Sequence, residues 1–216
     1  MNRLSDYYGR RADDYEEIYH RDDPVRQREQ AEVAAAMKQV LADRSVLEVA
    51  CGTGFWTEIA AEVTQHVVAL DMSPEMLALA QEKEFPPGKV EFLNADAYAL
   101  QTVPGRFDAG LANFWFSHVP KPRVKEFLDG FHKRLGPGAV VLMADNVYVP
   151  GVGGTLITRP GIEDTFKLRK LPDGSEHEVL KNYYSADQLR SILSPLASEL
   201  QVHVGKCFWW VSYTVI

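Results

Sequence analysis

The chain has 216 residues, 46% of them hydrophobic and 25% charged, enough for one domain with a substantial core. A net charge of −7 disfavours a general nucleic-acid surface, which needs clustered Lys and Arg, but leaves room for a small anion held by a local basic pair. Cys51 and Cys207 stand in no metal-type spacing and imply no disulfide framework. The polar start MNRLSDYYGRR and the lack of an apolar run of about 18 residues predict neither a secretory signal nor a membrane span, hence a reduced cytoplasmic protein.

Two helical stretches open the chain, Ser5 to about Tyr19 and Pro24 to Leu41, the second with Pro in its first turn and an alanine-rich body. Short apolar runs then alternate with helical stretches. Ser45–Ala50 leads through Gly52 and Gly54 into a helix reaching Val63. His66–Asp71 is followed by a helix from a Ser73 N-cap to Glu84, and Lys89–Leu93 ends at Asn94-Ala95-Asp96. Phe107–Phe114 precedes a helix over Lys121–Leu135, and Gly136-Pro137-Gly138 turns into Ala139–Ala144. Continuous apolarity with helical crossovers predicts a parallel sheet covered on both faces. The pattern breaks over Asn146–Asn182, where Asp173-Gly174 between FKLRKL and EHEVLKNYY signals a hairpin. A last helix, Ser185–Ser198, carries Pro195, which should bend or end it. Leu200–Val204 and Cys207–Ile216, joined by Gly205-Lys206, predict a closing hairpin with an antiparallel last strand.

Strand, Gly-x-Gly turn and helix make a nucleotide-binding half-fold in which glycine lets the backbone approach a ligand. Three features narrow the ligand. Thr57 stands where the third glycine of a dinucleotide fingerprint would be, which weakens a pyrophosphate cradle. Glu48 just before the loop suits a cationic ligand better than a pyrophosphate. Asp71 and Asp96 end the next two strands, where the first can accept from ribose hydroxyls and the second from an adenine amino group.

With LEVACGTGFW, VVALDMSPEML, LNADAYAL, FSHVP and RLGPGAVVL in this order, the chain resembles the class I, Rossmann-like S-adenosylmethionine-dependent methyltransferases over Ser45–Asp145. The resemblance implies a three-layer fold with a seven-stranded, mostly parallel sheet and an antiparallel last strand. It also implies S-adenosylmethionine as cofactor and S-adenosylhomocysteine as product. Carried over residue by residue, it places Gly52 and Gly54 at the methionine part, Asp71 on the ribose and Asp96, with Ala97 beside it, at the adenine. Met72 and Met76 would pack on the adenine, and Asn113 and Phe114 would lie beside the methionine part. Trp56 would cover the sulfonium or pack helix on sheet.

The expected division is an N-terminal helical lid over 1–44, a cofactor core over 45–145, a substrate cap over 146–184 and a closing unit over 185–216. Tyr7, Tyr8, Arg10 and Tyr15 are candidates to close the site, with Tyr15 and Tyr19 nearest the substrate, on a helix that would order on ligand binding as lids do. His118 in FSHVP is a candidate base, a substrate contact or a loop-ordering residue. Arg169 and Lys181 flank the Asp173-Gly174 turn and are either a surface pair or an anion site.

In that cap, together with FSHVP and Tyr7-Tyr8, the chain is similar to O-methyltransferases of the dehydrophos phosphonate type. There a basic pair in the cap binds the anion, at positions that Arg169 and Lys181 match relative to the turn. The expected acceptor is a small molecule methylated on a carboxylate, phosphonate or hydroxyl oxygen. No metal, nucleic acid or membrane partner is expected. An N- or C-methyltransferase, a non-catalytic S-adenosylmethionine-binding module and an NAD-dependent oxidoreductase are the alternatives.

Overall fold

The computed structural model describes residues 7–9, 11, 15–171 and 173–216. A short helical turn over 7–9 and a 3-10 helix, Tyr15–Tyr19, stand where a continuous helix from Ser5 to Tyr19 is expected. The core elements follow as α1 (Pro24–Leu41), β1 (Ser45–Val49), α2 (Phe55–Ala61), β2 (His66–Asp71), α3 (Pro74–Glu82) and β3 (Val90–Asn94). After them come β4 (Ala109–Asn113), α4 (Val124–Leu135) and β5 (Val140–Asn146). The cap consists of β6 (Thr155–Arg159), β7 (Ile162–Lys170) and β8 (Glu176–Leu180), and α5 (Ala186–Leu193), β9 (Ala197–Val204) and β10 (Phe208–Val215) close the chain.

Seven strands form one sheet in the order β3-β2-β1-β4-β5-β10-β9, with β10 antiparallel to both of its neighbours. The expected parallel sheet with a reversed last strand is therefore present. The apolar runs are continuous because side chains of alternate parity serve opposite layers. Val46, Val67, Ala69, Leu111 and Ala144 pack with α1–α3, whereas Leu47, Val49, Val68, Val141 and Met143 pack with α4 and α5. Gly54, in the left-handed region at φ 79°, caps α2 without a side-chain bond, and a Cβ there would meet Ala80 of α3 at 3.1 Å. That glycine serves the close approach of two helices. Pro195 ends the last helix as expected: α5 stops at Leu193, a 3-10 turn Ser194–Leu196 follows, and Ala197 already belongs to β9.

The Asp173-Gly174 hairpin is present, with Arg169 opposite His177 across β7 and β8. A third strand, β6, pairs antiparallel with β7 and makes the cap a small sheet of its own. Among the described residues no helix is long and apolar enough to cross a membrane, and no group of three or more His, Cys, Asp or Glu could hold a metal ion.

One buried carboxylate fastens the last hairpin to the first long helix. Glu29 of α1 accepts from the backbone N–H groups of Lys206 at 2.8 Å, Cys207 at 2.8 Å and Phe208 at 3.0 Å. Burial works to raise its pKa, but the three N–H donors hold the carboxyl below its ordinary value. The folded form therefore favours the ionised state, so this stabilisation is full above the unfolded value near 4.3 and fades as pH falls through the lower folded one. Glu29→Ala is expected to cost about 2–3 kcal/mol at pH 7, because three buried donors lose their acceptor. Urea denaturation at pH 7 and at pH 3.5 checks this, and the gap between wild type and variant should narrow at the lower pH.

Candidate active site

The carboxyl ends of β1, β2 and β4 meet the N-terminal segment at a partly open cavity. Gly52 turns out of β1 at φ 59°, and the preceding Ala50 also adopts a positive φ, 53°, which is uncommon for a residue with a Cβ. The turn is tied to the next strand by one side chain: Asp71 accepts from Gly52 N–H at 2.9 Å and from Ser73 N–H at 2.8 Å. Burial pushes the Asp71 carboxyl above its usual range, against those two backbone bonds. Ser73 then caps α3, accepting from Met76 N–H at 3.3 Å.

Met72, Met76, Ala95 and Ala97 form the far wall of the cavity, and Tyr8, Tyr15, Phe114, Trp115 and His118 the near wall. Phe114 is held at φ 57°, another strained backbone at the point where β4 ends.

Five sequence candidates fall outside this lining. Glu48 is 1% exposed and accepts from Thr57 Oγ1 at 2.7 Å. Burial raises its pKa to about 7. Its carboxyl thus serves the β1–α2 packing, and Thr57, where a dinucleotide fingerprint would need glycine, is its partner. Gly54 packs against α3, as described. Trp56 is buried and stacks on Phe114 with ring centroids 5.6 Å apart, so it backs the wall without facing the cavity. Asn113 is buried and donates to the Met37 sulfur at 3.6 Å. The Asp96 carboxylate accepts from Tyr98 N–H at 2.9 Å, while its neighbours Ala95 and Ala97 reach the cavity.

A second cavity lies between the N-terminal segment and the cap. Tyr8, Tyr15, Phe114 and His118 line both cavities and form the partition between them. Tyr19, Arg169 and Lys181 line the second. Tyr7 is buried with Leu171 and Val179 of the cap, and the edge-on contact of Tyr8 with Tyr15 continues the aromatic packing towards the core. Arg10 lies outside the described residues.

Arg169 and Lys181 reach one cavity but differ in state. Lys181 is 4% exposed and pairs with Asp145 at 2.9 Å, and its ammonium also donates to Ser117 Oγ at 2.6 Å. It is a half of an interior ion pair, not a surface cation. Arg169 makes no ion pair among the described residues, and its Nε is buried without a hydrogen-bond partner. Asp145, Ser117, Arg11, Arg21, Arg26 and Tyr183 are site residues that the sequence reading missed. For the three N-terminal arginines the signal, a cluster of Arg and Tyr over residues 7–26, is visible only once that segment is known to face the cap.

His118 is buried between the two cavities. Its Nδ1 lies 2.7 Å from the Leu180 carbonyl oxygen and its Nε2 2.8 Å from the Tyr8 hydroxyl. A carbonyl only accepts, so Nδ1 carries the proton and Nε2 accepts from Tyr8. Burial, and then the charge of Lys181, lowers the His118 pKa, which keeps the ring neutral. The folded state therefore binds this proton less well than the unfolded chain, so stability falls as pH drops below the ordinary histidine value near 6.5.

Residues 46–138 match the family model of a methyltransferase domain. Over nearly its whole length the chain is similar to the solved DhpI–SAH complex, with 26% identity and a TM-score of 0.74 across 99% of this chain and 95% of that one. The DhpI–SAM–HEP complex gives 25% identity and a TM-score of 0.75, covering 99% and 98% of the two chains. Demethylmenaquinone methyltransferase of Clavibacter sepedonicus is 32% identical over 105 residues, 49% of this chain and 42% of the relative. A ubiquinone biosynthesis O-methyltransferase of Xanthomonas campestris pv. campestris (strain B100) is 26% identical over 174 residues, 77% and 67% of the two chains. The first curated relatives are matched over less than half of their own length. Sheet order, glycine turn and matched segment give this chain the class I, Rossmann-like methyltransferase fold, with a methyltransferase domain over residues 46–138. Within that class it resembles DhpI over its full described length.

Proposed function

We propose that this chain transfers the methyl group of S-adenosylmethionine to an oxygen of a small acidic molecule. The observation that carries the reading is the shared partition: Tyr8, Tyr15, Phe114 and His118 face the cavity at the Gly52 turn on one side and a cation-lined cavity on the other. The cofactor supplies a methyl carbon already activated by a positively charged sulfur. The first cavity fits it through the open Gly52 turn and the adjoining Asp71 carboxylate, which retains lone pairs for ribose hydroxyls. Met72, Met76 and Ala97 offer an apolar wall for the adenine. The names of the curated O-methyltransferase relatives and the DhpI–SAM–HEP complex support the same chemistry.

The chain's own work is to bind, align and exclude water, and alignment of reacting groups is worth about 7–11 kcal/mol. An acid is already ionised at neutral pH, so it needs no base. That fits His118, whose Nε2 lone pair is engaged by Tyr8. His118 is therefore a positioning residue that holds the Tyr8 hydroxyl at the partition. The rate of methyl transfer is expected to show no histidine inflection between pH 6 and 8. A step near pH 6.5 that disappears in His118→Gln would contradict this role.

The direct test is transfer of tritiated methyl from S-adenosylmethionine to a panel of carboxylic acids, phosphonates, phenols and amines. The expected product is an ester, recognised by release of label in mild base. Arg169→Ala is expected to lower turnover of that acid by at least about tenfold, the worth of one charged hydrogen bond. Label found only in amines or phenols would overturn the acidic acceptor. Arg169 is the informative position because Lys181→Ala would also strip Asp145 of its partner.

A further inference from the structure

The second cavity carries more positive charge than one acidic group can answer. Its lining includes Arg11, Arg21, Arg26 and Arg169 besides Lys181, and among the described residues no Asp or Glu. The Lys181 charge is met by Asp145, but none of the four arginines forms an ion pair among the described residues. This concentration stands in a chain whose net charge is −7. Uncompensated like charges around a partly buried space repel one another, and the repulsion is relieved by a complementary anion.

The arginines fall at two ends. Arg169 projects from β7 beside Gly153, near the His118 partition. Arg21 and Arg26 come from the segment that leads into α1. Arg26 lies over the Phe208 ring, 4.5 Å from its centroid, and donates from Nε to the Ile18 carbonyl at 3.4 Å, which fixes the guanidinium in place. Burial and then the charge of Arg21 lower the pKa of Arg26, so these two are close enough to repel. Of the acidic side chains next to them in sequence, Asp23 is committed to the α1 N-cap, accepting from Val25 and Arg26 N–H, and Asp22 is exposed. Arg11, Arg21 and Arg169 also border the outer opening between the N-terminal segment and the cap, where Glu17 is the one acidic side chain among the described residues.

We infer that the acceptor carries two separate acidic groups, one held by Arg169 next to the partition and the other by Arg21 and Arg26 of the segment that leads into α1. The inference rests on the acidic-acceptor reading above and narrows it to a small diacid. A guanidinium takes two oxygens at once, so two such stations fix both the length and the direction of the acceptor.

Calorimetry on the full chain loaded with S-adenosylhomocysteine tests this with succinate, glutarate and adipate, each beside its monomethyl ester. One diacid is expected to bind at least tenfold more tightly than its own monoester, and Arg21→Gln should erase most of that advantage while changing the monoester affinity less than threefold. Arg26→Gln should do the same, and because Arg26 also packs on Phe208, the exposed Arg21 is the deciding variant. Equal binding of diacid and monoester, or an advantage that survives Arg21→Gln, would overturn the second station and leave the acidic-acceptor reading standing. Failure of every acid to bind the loaded chain would overturn both.

Discussion

Asp145→Ala is expected to lower stability by about 3–5 kcal/mol, the usual cost of removing one member of a buried ion pair. Asp145 is fully buried at the end of β5. Its carboxylate accepts from Lys181 Nζ at 2.9 Å, Ser117 N–H at 2.9 Å and Asn146 N–H at 2.7 Å. These bonds join the end of β5, the turn after β4 and the residue that follows β8, so one carboxylate docks the cap on the core. The alanine variant leaves the buried ammonium with only the Ser117 hydroxyl and no counter-charge, and strips the Ser117 and Asn146 N–H groups of their acceptor. For a chain of this size the loss corresponds to a fall in melting temperature of roughly 6–20 °C. Lys181→Met removes the charge together with its partner's need and should cost less, because Asp145 keeps its backbone donors. The pair also sets a pH dependence. Burial alone would raise the Asp145 pKa, but Lys181 and the hydrogen bonds hold it below the ordinary carboxylate value. A depressed folded value means stabilisation that is full above the unfolded pKa near 3.9 and is lost as pH falls through the folded one. Thermal melts from pH 7 down to pH 3 on wild type and Asp145→Ala check both claims.

Asp71→Ala is expected to weaken S-adenosylhomocysteine binding by at least about a hundredfold, as two charged hydrogen bonds at roughly 1.5–3 kcal/mol each disappear. The effect has two sources. The carboxylate orders the empty turn through Gly52 and Ser73, and its free lone pairs face the cavity as ribose acceptors. Asp71→Asn keeps one oxygen and should fall between wild type and alanine. Calorimetric titration measures both. An unchanged affinity in Asp71→Ala would mean that the nucleoside lies elsewhere. By contrast, Glu48→Gln should leave affinity within a few-fold, because its carboxyl faces Thr57 and not the cavity.

The core was readable from sequence because a strand buried on both faces must be mostly apolar, and β1, β2, β4 and β5 are, with polar residues such as Glu48 and Asp145 towards their carboxyl ends. The cap hairpin was readable because Asp-Gly marks a tight turn whatever surrounds it. Strand β6 was missed, since Thr155–Arg159 is short and sits between glycine-rich stretches at 151–154 and at Gly161. In the site, residue type and place in the motif located Gly52, Asp71, Met72, Met76, Ala97 and Phe114 on the cavity wall.

The same motif also pointed to Glu48, Gly54 and Trp56, which lie outside the lining because Glu48 bonds Thr57, Gly54 packs on α3 and Trp56 stacks on Phe114, contacts that only the folded chain shows. Asp96 and Asn113 likewise stand at strand ends that reach the cavity, while their own side chains bond elsewhere. The state of Lys181 was illegible for a different reason. Its partner Asp145 lies 36 residues earlier, and nothing local distinguishes a buried ammonium from a surface one. The arginine-lined cavity escaped for the same cause: Arg21 and Arg26 precede the core in sequence and meet β7 only in the folded chain.

The most direct measurement is a crystal structure of the chain with S-adenosylhomocysteine. The account predicts the ribose hydroxyls on Asp71, the adenine against Met72, Met76 and Ala97, and the sulfur facing the partition formed by Tyr8, Tyr15, Phe114 and His118. A nucleoside seated in the arginine-lined cavity, or a sulfur turned away from that partition, would contradict it.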